Sequence, residues 1–129
     1  MNAERFARIL FRVAGIYGLL MLAPGYFMEE QVGVDWPPAI THPEYYYGFI
    51  GVALAWQVVF LIIAQAPLRY RPLMLAAVLE KLGFAVAAAL LFAGGRLAIS
   101  MFAFSLVDAL LALLFAVAYW RTRPRPMPG

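Results

Sequence analysis

PLMLAAVLEKLGFAVAAALLFAGG, residues 72–95, runs from a proline to a glycine pair with Glu80 and Lys81 as its only charges. A helix needs about 20 apolar residues to cross the roughly 30 Å hydrocarbon layer of a bilayer, and residues 73–94 meet that length. Three further runs do the same, at 6–27, 45–66 and 97–119. Pro24-Gly25 loosens the end of the first run, Pro67 and Pro72 bracket the turn between the second and third, and Gly94-Gly95 separates the third from the fourth. The reading is an all-α polytopic membrane protein: one transmembrane domain over residues 1–129, built as an antiparallel four-helix bundle.

Composition agrees. Of 129 residues, 65% are hydrophobic and 13% charged, with a mean hydropathy of +0.82, outside the balance of a water-soluble domain. The apolar residues come as long runs without the one-sided striping that a solvated surface requires. The absence of cysteine excludes disulfides, thiolate metal sites, iron–sulfur clusters and thiol-based quinone reduction. A net charge of +3 is no nucleic-acid signature here, because the basic residues flank apolar runs. In the first run, Met21-Leu22-Ala23 before Pro24 departs from the A-x-A pattern of a cleaved signal peptide, so that helix is expected to be retained.

Lys and Arg accumulate in cytoplasmic loops. Arg5, Arg8 and Arg12 precede or enter span one, Arg69 and Arg71 fill the turn between spans two and three, and Arg121, Arg123 and Arg125 lie in the basic tail, residues 120–129. Four spans bring these three regions to one side, which predicts both termini inside (N-in/C-in). The outer loop, residues 28–44, carries Glu29, Glu30, Asp35 and Glu44. Its Trp36-Pro37-Pro38 and His42-Pro43 predict a stiff cap. Tyr26, Phe27, Trp36 and Tyr45-Tyr46-Tyr47 mark the outer boundary, and Tyr70, Tyr119 and Trp120 the inner one, as aromatic belts do.

Ionisable groups at membrane depth are expensive and need partners. Glu80 and Lys81 lie about 11 to 13 Å into span three, Asp108 about 17 Å into span four, and Arg12 about 9 Å into span one, at 1.5 Å per residue. Neighbouring helix positions point about 100° apart, so Glu80 and Lys81 are expected to seek separate partners. The pairs read from these depths are Arg12 with Glu80 and Lys81 with Asp108. Ala76, Ala77, Gly83 and Ala87 share a face with Glu80 and place it inside the bundle. Gln57 in span two is in reach of Asp108 or Tyr17, while Gly15, Gly18, Gly48 and Gly51 allow close helix crossings. Arg12, Tyr17, Gln57, Glu80, Lys81 and Asp108 therefore form the candidate intramembrane polar cluster.

A second candidate is the outer loop, where Glu29, Glu30, Asp35, His42 and Glu44 supply donors for a divalent metal if the cap gathers them. Their spacing is unspecific, and neither a metal nor a cofactor is expected. A single histidine excludes bis-imidazole haem ligation. No phosphate loop, G-x-S-x-G elbow or H-E-x-x-H helix is present.

Arg8 and Arg12 before Gly15-Ile16-Tyr17-Gly18, a proline-ended first span, an aromatic-rich outer loop and three more spans resemble the DoxX-like small bacterial membrane proteins. The resemblance covers the layout of nearly the whole chain and implies a bacterial inner-membrane protein of undefined activity. It carries over no functional residues. The small multidrug transporters resemble the chain in size and in an embedded carboxylate, but theirs lies in the first span, where this chain has arginines.

Three functions fit. The first is an accessory or assembly subunit, not an enzyme, whose polar cluster is structural. The second is a small transporter or ligand-binding bundle working through Glu80, Lys81 and Asp108. The third is an enzyme acting on a lipid or quinone at the outer boundary through His42, Glu44 and the tyrosines. The expected partners are the lipid bilayer and other membrane subunits or further copies of the chain.

Overall fold

A computed structural model describes residues 1–129 as helices and connecting turns, without strands. Helix α1 is Ala3–Leu22 and continues into a 3-10 turn, Ala23–Phe27; α2 is Glu29–Asp35, α3 Pro43–Gln65, α4 Arg71–Ala93 and α5 Ile99–Arg121. The run Ala3–Phe27 and the helices α3, α4 and α5 are long and apolar enough to cross a membrane. Much of their outer surface is apolar: Leu20, Leu79, Leu90 and Leu113 are all exposed. Water is a poor solvent for such a surface, which is compatible with a multi-pass membrane protein.

Local chemistry sets the helix ends. The Asn2 side chain accepts from the Arg5 amide at 2.7 Å and caps α1. Pro24 lacks the amide that the next α-helical turn requires, and the chain tightens into the 3-10 turn. Pro43 and Pro72 stand in the first turns of α3 and α4, where no amide is missed. Gly95 takes a φ of +70° just past α4, letting the Arg96 amide close on the Leu91 carbonyl at 2.8 Å. The outer loop contains α2, and the expected tail begins inside α5, which runs to Arg121.

The packing follows the order of the spans except between the second and third. Short turns predict that spans two and three and spans three and four pair; α4 and α5 do so extensively, as do α1 and α3, while α3 and α4 touch sparsely. The reason lies in side-chain size. A Cβ on Gly15 would come within 2.9 Å of the Gln57 backbone carbonyl oxygen, and one on Gly18 would collide with the Gln57 carboxamide. These two glycines let α1 close on α3. Gly48 and Gly83 have open space around them and support no crossing. Between α3 and α4 stand Phe49, Trp56 and Phe84, around a hollow of about 350 Å³.

The buried core lies towards the end that carries both chain termini. It joins Ala7, Phe11 and Ala14 to Phe60, Ile63 and Ala64, Met74 and Ala77, and Phe115 and Ala118. Phe11 stacks on Phe115 with centroids 4.3 Å apart, and Phe60 meets Phe115 edge-on at 5.0 Å. Arginines clasp the same end. Arg71 donates to the Tyr119 carbonyl oxygen at 2.8 and 3.0 Å and lies 3.7 Å from the centre of its ring. Arg121 donates to the Met1 carbonyl oxygen at 2.9 Å. At the opposite end Tyr46 donates to the Gly25 carbonyl oxygen at 2.6 Å, and Trp36 leans edge-on against Phe104.

Replacing Gly15 by Ala forces a methyl group against the α3 backbone and is expected to destabilise the fold by about 1 to 3 kcal/mol. Gly48→Ala, in open space, is expected to be neutral or to stabilise by up to about 1 kcal/mol. Reversible unfolding in detergent measures both; equal effects would remove the role given to the α1–α3 crossing.

Candidate functional site

Each long helix contributes to one polar hollow. Tyr17 and Gly18 come from α1, Gln57 from α3, Glu80 and Lys81 from α4, and Asp108 from α5, around a cavity of about 230 Å³. Apolar residues complete the wall, among them Phe49, Phe84 and Phe104. The adjoining hollow between α3 and α4 shares Glu80 and Asp108 as lining residues. Both carboxylates therefore border two open spaces.

Lys81 is the centre of the charge arrangement. It lies on the buried stripe of α4 with Met74, Ala77 and Ala88, and its side chain is 8% exposed. Its Nζ is 3.4 Å from Asp108 Oδ1 and 3.6 Å from Glu80 Oε2, and 5.4 Å from the centre of the Phe60 ring. Phe60, packed with Phe11 and Phe115, floors the cluster on the side of the chain termini. Two carboxylates thus face one ammonium in a site walled by apolar groups.

The pairing Lys81 with Asp108 has the geometry read from helix depth, but three other expectations need correction. Glu80 and Lys81 do contact each other: their Cβ atoms diverge, yet the four-carbon stem of Lys81 bends the ammonium back across that angle. Lys81 is the inward residue, whereas Gly83 and Ala87 on the face assigned to Glu80 are exposed. Arg12 does not meet Glu80. It is exposed, one position round the helix from buried Phe11, in a surface groove with Arg5 and Arg8, and Arg8 pairs with Glu4 at 3.0 Å.

Gln57 is also placed differently. Its Nε2 donates within its own helix to the Ala53 carbonyl oxygen at 2.9 Å, so it reaches neither Asp108 nor Tyr17. The residue is 1% exposed, and its buried Oε1 packs against Gly18 without a donor, whereas the buried Glu80 Oε2 has the Lys81 ammonium as its ion-pair partner. An unmatched buried acceptor costs about 1 to 3 kcal/mol. Gln57 Oε1 is thus an enclosed, unmatched acceptor on a residue that lines the cavity.

The outer loop does not gather its acids. Gln31 donates to Asp35 at 2.8 Å, His42 and Glu44 form an exposed pair at 3.4 Å, and Glu29 and Glu30 border a separate surface hollow. No group of three or more metal-ligating side chains forms.

The aromatic wall was missed in the sequence, although a signal existed. Phe84 follows Glu80 by four residues, Phe104 precedes Asp108 by four, and Phe49 precedes Gln57 by eight with Ala53 between. Residues four apart share a helix face, so each polar residue carries an aromatic ring one or two turns away. No protein-family model, curated protein or solved structure matches the chain.

Lys81→Met leaves two carboxylates without their cation and is expected to destabilise the fold by about 3 kcal/mol or more. The triple substitution with Glu80→Gln and Asp108→Asn removes all three charges and is expected to recover most of that loss. Unfolding free energies of the two variants decide this; equal loss in both would mean that packing of the lysine stem, not charge balance, holds the site.

Proposed function

We propose that the chain is a small transporter or ligand-binding bundle of a bacterial inner membrane, an antiparallel four-helix protein with both termini cytoplasmic. The bacterial assignment rests on the DoxX-like layout. The orientation is supported by eight of the ten Lys and Arg residues, which belong to the termini and the turn between α3 and α4. Arg121 bonded to the Met1 carbonyl supports a shared side for the termini.

One observation carries the functional reading: a cavity of about 230 Å³ reaches Gln57, Glu80, Lys81 and Asp108 and is lined from all four long helices. Buried polar groups that only fix helix register are served best by closed packing and complete pairing. Here the charges border open space, and the buried Gln57 Oε1 lacks a donor. Concave sites with a few converging polar groups in an apolar wall are where small ligands bind, and ionisable residues at membrane depth mark ligand and ion paths. This favours a working site over an accessory subunit with a purely structural cluster. His42 and Glu44 lie on the surface and give an enzymatic reading no comparable enclosure.

Two measurements test the proposal. Because the chain has no cysteine, Thr41→Cys and Pro126→Cys each provide a single thiol. In intact cells a membrane-impermeant maleimide is expected to label Thr41→Cys alone; labelling of Pro126→Cys alone would reverse the orientation. Dicyclohexylcarbodiimide, an apolar reagent for protonated carboxyl groups, is expected to modify Glu80 or Asp108 in the folded protein, more at lower pH. Glu80→Gln and Asp108→Asn are expected to lose the modified site while unfolding within about 4 °C of the parent. Modification of the unfolded chain alone would mean that the cluster is sealed in packing.

A further inference from the structure

Resting on the reading of this cavity as a binding site, we infer that its ligand is a small organic monocation bearing N–H donors, a protonated aryl- or alkylamine. Three features of the wall point to that chemistry.

Charge comes first. Glu80 and Asp108 both lie within 3.6 Å of the Lys81 ammonium, and two carboxylates against one cation leave one negative charge unbalanced. An apolar surround strengthens that imbalance. A proton or a bound monocation restores neutrality, and the two compete for the site; an anion or a dication does not restore it.

Hydrogen bonding narrows the cation. Asp108 accepts from Lys81 through Oδ1 alone, and Glu80 faces the same ammonium through Oε2 at 3.6 Å, so each carboxylate keeps unused acceptor positions. Both residues line the cavity. A protonated amine supplies N–H groups to such oxygens, whereas a quaternary ammonium has none. A bare metal ion is disfavoured by a wall that offers few oxygens and many rings.

Size and surface define the rest. A cavity of about 150 Å³ holds one benzene ring, so about 230 Å³ accommodates a ring with a two-carbon ammonium arm. Phe49, Phe84 and Phe104 provide faces for the ring and for cation–π contact. The second hollow, between α3 and α4, opens the same carboxylates to the flank of the protein, a route by which an amphiphilic amine arrives from the lipid side.

The probe is 2-phenylethylammonium, tested on the full chain in nanodiscs at neutral pH beside 2-phenylethanol and the N,N,N-trimethyl analogue. Calorimetry is expected to show the amine binding at least about tenfold more tightly than either comparison compound, the loss that follows from removing one charge-assisted hydrogen bond. Asp108→Asn and Glu80→Gln are expected to weaken it by a similar factor. A second measurement needs no variant: the amine, but not the alcohol, is expected to protect Glu80 and Asp108 from dicyclohexylcarbodiimide. If the reagent modifies the folded protein but the amine neither binds nor protects, or the alcohol or the trimethyl compound binds equally well, the ligand class is wrong and the cavity remains a site. If the reagent modifies neither residue, the binding-site reading falls and this inference with it.

Discussion

An ammonium ion in an apolar surround is held by the charges within its reach, and Lys81 has two carboxylates there. A buried charge without partners would cost several kcal/mol, so α4 and α5 must present Lys81 and Asp108 to one another. That requirement fixes the rotation of both helices about their axes, and with it the positions of Phe84 and Phe104 one turn away. The close α1–α3 crossing brings Gln57 over Gly18 to the same point. The stacked phenylalanines then keep the charge cluster off the packed core.

The long helices were legible because they depend on composition alone. Apolar runs bounded by Pro24, Pro43, Pro72 and Gly95 give four helices under any packing, since a helix satisfies its own backbone and stops where proline or glycine interrupts it. What the helices do to one another depends on rotation and side-chain size, which the runs do not encode. Short turns made α3 and α4 look like close partners; the bulk of Phe49, Trp56 and Phe84 keeps them apart.

The polar cluster was legible in its members more than in its contacts. Depth along the helices brought Glu80, Lys81 and Asp108 within reach of one another and placed Gln57 mid-span, and they line one cavity. Depth says nothing about azimuth, however. Arg12 has a suitable level and the wrong side of α1, while the flexible stem of Lys81 overcomes the divergence from Glu80 that a rigid side chain would obey. Gln57 found its partner in the Ala53 carbonyl four residues back, an option open to any mid-helix amide and invisible to a search for contacts between helices.

The two ends of the molecule are held by different kinds of contact, and this bears on how a ligand would reach the charges. At the end with the termini, Arg121 of α5 binds the Met1 carbonyl and lies over the Phe6 ring of α1, and phenylalanine rings from α1, α3 and α5 interlock beneath the cluster. Separating the two helix pairs there would strand the Arg121 donor and open the core together. At the other end, Tyr46 ties α3 to the turn after α1, within one helix pair, while the two pairs meet through the edge of Trp36 on Phe104. An aromatic contact of this kind is worth about 0.5 to 1.5 kcal/mol beyond its buried area, less than the Arg121 hydrogen bond together with the Phe11–Phe115 and Phe60–Phe115 contacts. Moving the α1–α3 pair away from α4–α5 therefore costs least at the Trp36 end. Widening there enlarges the space above Glu80 and Asp108 and leaves the aromatic floor intact, so access to the charges is expected from the side opposite the termini or from the α3–α4 flank.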